Sequence, residues 1–121
     1  MAWVLVCIGG ALGSITRFIL GKLISKRLDT AFPIGTFIIN ITGAFLLGVV
    51  SSLDITRSAY LFFADGFLGA YTTFSTFMYE GFNFFEKNKK INAFVYILCS
   101  LFLGIICYIL GFDLGKFSMK Y

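Results

Sequence analysis

Histidine is absent from this 121-residue chain, proline occurs once, and there are only six acidic side chains. Without histidine the usual general base and the commonest metal ligand are both missing, which speaks against enzyme chemistry. Charged residues make up 13% of the chain against 59% hydrophobic, too few to coat a soluble domain. The three cysteines, Cys7, Cys99 and Cys107, lie in apolar runs, are odd in number and show no CxxC spacing. They read as buried, inert thiols. The net charge of +4 needs no nucleic acid partner, because loops at a membrane surface collect Lys and Arg.

What is present is long apolar sequence, with a mean hydropathy of +0.91. The expected fold class is an all-α integral membrane protein, one domain over residues 1–121. A hydrocarbon layer of about 30 Å takes roughly 20 helical residues to cross, which allows four spans and little else. They are placed at about 3–20, 34–50, 60–85 and 91–111. The first run carries no charged leader and outlasts a signal-peptide core, so it is kept as a mature helix. Six Lys and Arg flank the spans on one side (Lys22, Lys26, Arg27, Lys87, Lys89 and Lys90) and three on the other (Arg57, Lys116 and Lys120). This leans toward both termini outside while leaving the orientation open.

Polar residues inside the spans are the functional candidates, since they are costly in hydrocarbon unless they face protein, water or an ion. In the first span Gly9, Gly13 and Arg17 recur every four residues, a spacing that lets helices approach closely. Arg17, near the span's end, either snorkels to headgroups or lines a wet vestibule. In the second, Asn40 stands one helical turn after Thr36, and its amide must find a partner, either another helix or a passing anion. The third span is longer than one crossing needs and reads GFLGAYTTFSTFMYE from Gly66 to Glu80. Gly66, Gly69, Thr72 and Thr73 have poor helix propensity, so a break is expected there, freeing carbonyls that suit a hard cation such as Na⁺. Phe74 and Phe77 share a face with Glu80, either as packing or with positive ring edges toward an anion. In the last span Tyr96, Ser100 and Gly104 recur every four residues, as a polar track or as packing. The tail DLGKFSMKY reads as short and basic.

Three segments together, GGALGSITRF (Gly9–Phe18), GTFIINITGAFLLG (Gly35–Gly48) and GFLGAYTTFSTFMYE (Gly66–Glu80), resemble the Fluc/CrcB family of fluoride channels. The resemblance covers essentially the whole chain, and the TTFSTF run is its most specific part. It implies four transmembrane helices with the third broken near its middle. It also implies an antiparallel dimer with a second copy or a related subunit, enclosing two narrow pores. Backbone carbonyls of Gly69 and Thr72 from each subunit would hold one structural Na⁺ at the dimer centre. Phe74 and Phe77 match the family's phenylalanine box, and Asn40 its pore asparagine. Thr36, Ser75, Thr76, Tyr96 and Ser100 resemble its polar track, Arg17 a vestibule arginine, and Glu80 an acidic residue near the pore end. Gly104 stands where a further hydroxyl of the track is expected.

The implied activity is passive fluoride efflux across the cell membrane of a microbe, lowering cytoplasmic fluoride. Fluoride is small and strongly hydrated, so a selective path must replace its water with many donors yet release it. Two other readings differ in class. A small multidrug-type, proton-coupled exporter needs a carboxylate inside the first span, whereas the first acidic residue here is Asp29, in a loop. A non-transporting assembly subunit would use its polar residues only as glue between helices.

Overall fold

The computed structural model describes residues 1–28, 30 and 32–121, and within them every regular element is helical. Asp29 lies outside the described residues. The elements are α1 (Ala2–Arg27), α2 (Ile34–Ser52), α3 (Arg57–Tyr60), a π-helical run (Leu61–Leu68), α4 (Gly69–Tyr71), α5 (Ser75–Glu86) and α6 (Lys90–Lys120). Three of them, α1, α2 and α6, are long and apolar enough to cross a membrane. The remaining apolar sequence is divided among α3, the π-helical run, α4 and α5.

Small residues bring the long helices together. Gly48 of α2 lies against the backbone of Tyr108 and Phe112 in α6, and Gly111 of α6 lies against the backbone of Phe45 in α2. A methyl group at either position would collide with a carbonyl group. Across the molecule, Gly9 and Gly13 of α1 receive the backbone of Phe62, Gly66 and Phe67. The four-residue glycine spacing of the first span therefore serves close packing, which is how membrane helices associate where burial of apolar surface gives no gain over lipid.

Outward faces of α1 and α6 are apolar, with Ile8, Leu12, Ile15, Leu98, Phe102 and Ile105 all exposed. The cysteines correct the expectation of burial. Cys7 and Cys99 are exposed and Cys107 only part-buried.

Two elements run further than the hydropathy suggested. Helix α1 continues to Arg27, where Lys26 and Arg27 sit favourably at the carbonyl end of the helix dipole. The basic tail is not a separate tail, since α6 continues through it to Lys120. Gly115 keeps it seated against Val49 and Ser52, Lys116 lies 4.9 Å from the centre of the Phe112 ring, and the Asp54 N–H donates to the Met119 sulfur at 3.4 Å. Between α5 and α6 the chain reverses through Asn88, at φ 56°. Lys89 N–H donates to the Phe84 carbonyl at 2.8 Å and Asn88 N–H to that of Phe85 at 3.1 Å, a Schellman-type helix end that asparagine tolerates.

Gly111→Ile is expected to lower stability by about 1–3 kcal/mol through overpacking of the α2–α6 seam. Gly104→Ala is expected to leave it unchanged, since a Cβ there meets open space. Thermal unfolding of the purified protein in detergent distinguishes the two.

Candidate functional site

The helical ladder leading out of the π-helical run stops at Thr72. Its N–H and its hydroxyl both donate to the Leu68 carbonyl, at 3.1 and 3.0 Å, and its backbone then turns extended, with φ −76° and ψ 156°. Glycine and β-branched threonine at this point offer the helix little to resist the turn. The chain resumes as a helix at Ser75.

Asn40 holds this break in place. Its Oδ1 accepts from the Thr73 N–H at 2.8 Å and its Nδ2 donates to the Thr73 carbonyl at 2.9 Å. One side-chain amide thereby replaces both helical partners of one residue. The Thr73 N–H would otherwise close the next turn onto the carbonyl of Gly69, so that carbonyl is released. Arg17 approaches from α1 and donates from Nη1 to the Thr72 carbonyl at 3.2 Å. Beyond the break, the Thr73 hydroxyl accepts from the Thr76 N–H at 3.3 Å and lies 3.2 Å from the Thr76 hydroxyl. It acts as an N-terminal cap for α5.

Two cavities meet at this point, each of about 620 Å³. One is lined by Arg17, Lys22, Thr36, Thr73, Thr76 and Glu80. The other is lined by Asn40, Gly69, Thr72, Thr73, Phe74, Phe77 and Ser100. Thr73, expected from the sequence only as part of the break, faces both. Its signal was present in the doubled threonine, but only the fold shows that it lies between the cavities.

The carboxylate of Glu80 gathers two of the expected track residues. Thr36 donates to its Oε1 at 2.9 Å and Tyr96 to its Oε2 at 3.0 Å. Tyr96 is fully buried, with the Phe77 ring centre 5.2 Å from its own. Phe77 is buried and Phe74 exposed, with ring centres 6.3 Å apart. Ser100 has a buried hydroxyl oxygen with no hydrogen-bond partner among the described residues, and it lines the second cavity. Ser75 is exposed and lines neither cavity. Arg17, Thr36, Thr76 and Glu80 are thus brought together on one side of the break, and Asn40, Gly69, Thr72, Phe74, Phe77 and Ser100 on the other. Asp65, a second carboxylate within the third apolar run, also lines the second cavity. Its neighbours, all apolar or glycine, form no polar motif around it, although a carboxylate in such a run is itself the signal.

Long apolar helices packed around a polar break, with hydroxyls, an amide and a guanidinium turned inward, define a multi-pass membrane protein with a polar interior. The sequence profile described as "CrcB-like protein, Camphor Resistance (CrcB)" matches residues 4–112, and the chain belongs to that family. It is similar to the "Fluoride-specific ion channel FluC 2" of Clostridium acetobutylicum, 58% identical over 117 residues that cover 97% of each chain. A protein of the same name from Bacillus cereus is 44% identical over 115 residues, 95% of this chain and 98% of that one. The "Fluoride-specific ion channel FluC" of Acidobacterium capsulatum is 42% identical over 121 residues, 96% of this chain and 97% of that one.

Asn40→Ala is expected to lower stability by about 1–3 kcal/mol, because it strands the N–H and carbonyl of Thr73. Thermal unfolding in detergent, with Asn92→Ala on the exposed side of α6 as a control, measures it.

Proposed function

We propose that this chain is a subunit of a fluoride-specific channel that lets fluoride leave a microbial cytoplasm passively. The observation that carries the reading is the clasped break. It supplies a partly unwound crossing with donors on both sides, in a chain 58% identical to a protein named for that activity. The channel names of the relatives fit a protein that moves an ion and transforms nothing.

In this reading α3, the π-helical run, α4 and α5 form the third of four crossings, broken at Thr72–Phe74. Fluoride would pass between the two cavities. The N-terminal end of α5, capped by Thr73, presents partial positive charge to an anion. The Ser100 hydroxyl, spent on no other group among the described residues, is available to replace fluoride's water. So is the second N–H of the Asn40 amide. The edges of the Phe74 and Phe77 rings add positive potential without a full charge that would trap the ion. Thr36, Thr76, Tyr96 and Glu80 continue the path toward the Arg17 end. Ser75, exposed here, would belong to it only where a second subunit covers that side.

An antiparallel second copy or related subunit would cover the exposed Phe74 and the apolar outer faces. The Gly69 carbonyl, freed by the Asn40 clasp, and the Thr72 carbonyl are hard, neutral oxygens of the kind that suits Na⁺ at the centre of such a pair. A cation held there would add positive potential beside the pores.

Liposomes containing the purified chain are expected to release fluoride rapidly and chloride far more slowly. Asn40→Asp is expected to slow fluoride release about tenfold or more, since an anionic acceptor then stands where a donor is needed. Phe77→Ile is expected to slow it as well. Wild-type liposomes no leakier than empty ones, from folded protein with and without a related partner, would overturn the reading in favour of an assembly subunit.

A further inference from the structure

Asp65 is the one charged side chain that lines the second cavity among the described residues. It sits in the π-helical run, one turn before Gly69, and is exposed on the isolated chain. A carboxylate within an apolar crossing is costly unless it faces protein, water or a cation. The same cavity is lined by Gly69 and Thr72, whose carbonyls are the proposed cation donors. One of those carbonyls already carries a positive neighbour, since Arg17 donates to the Thr72 oxygen at 3.2 Å. Neutral carbonyls beside a guanidinium make a poor site for a further positive charge.

We propose that Asp65 supplies the negative charge that makes the Gly69 and Thr72 carbonyls a site for a small monovalent cation, offsetting Arg17 and drawing Na⁺ to the break. This rests on the cation reading above and goes beyond it by assigning a side chain to what would otherwise be a site of backbone oxygens alone. One carboxylate set against one guanidinium leaves no excess negative charge, which favours a monovalent over a divalent ion. Asp65 also differs in kind from Glu80, whose two oxygens are occupied by Thr36 and Tyr96.

The test is thermal unfolding of the purified channel assembly in detergent, with NaCl replaced stepwise by N-methylglucamine chloride at constant ionic strength. Wild type is expected to gain stability with Na⁺. Asp65→Asn is expected to need about tenfold more Na⁺ for half the effect, the size of a single-charge interaction at a protein's effective dielectric, and Asp65→Glu to keep the wild-type requirement. Asp65→Ser is read in the same way if Asp65→Asn does not fold. An unchanged Na⁺ requirement in the uncharged variants would overturn the role of Asp65 while leaving the carbonyl site standing. Lower stability with that same Na⁺ requirement would point instead to a cationic side chain of the partner subunit and overturn it equally. No response of the wild type to Na⁺ would overturn the cation site and this inference together.

Discussion

The structure depends on one amide. Asn40, in the middle of an otherwise apolar helix, accepts from the N–H of Thr73 and donates to its carbonyl. Without it the unwound residue would leave both groups without protein partners, at the cost of about 1–3 kcal/mol expected of Asn40→Ala. By meeting both at once, Asn40 makes the interruption after Tyr71 affordable. The extended Thr72, the freed Gly69 carbonyl and the capped start of α5 all follow from that pair of bonds. The glycine seam of α1 serves the same end, bringing the helix that carries Arg17 against the π-helical run, and Arg17 reaches the Thr72 carbonyl from there.

The break separates two kinds of polarity. Carbonyl oxygens end the segment before it, while N–H groups and hydroxyls begin the segment after it. A channel for a small, strongly hydrated anion needs the second kind in quantity and must keep the first from facing the ion. In the reading proposed above, the carbonyls of Gly69 and Thr72 serve a cation and the donors are left for the anion. Glu80 is accommodated in the same way, with its two oxygens each met by a hydroxyl.

Much of this was legible from residue order. Three of the spans follow from apolar runs of sufficient length, and the TTFSTF run with its preceding glycines points to the break before any coordinates. The partner of Asn40 was not legible, because helical spacing says which face a residue occupies and not what it meets there. For the same reason the shared bond of Thr36 and Tyr96 to Glu80 was not legible, although both stand among the expected track residues. The tail after Gly111 reads as basic and short, yet Gly115 and Met119 fasten it to α2 and the loop that follows, so α6 continues. Asp65 is hard to read from the sequence, since hydropathy averages dissolve a single carboxylate among phenylalanines and leucines.

The most direct test of the account is whether the clasp exists in a bilayer. Solid-state NMR of the protein in lipid, labelled to report through-space contact between the Asn40 side-chain amide and the Thr73 backbone, measures it. A contact at hydrogen-bond distance, lost in Asn40→Ala, is the result predicted. An Asn40 amide remote from Thr73, with the helix continuous through that residue, would contradict it.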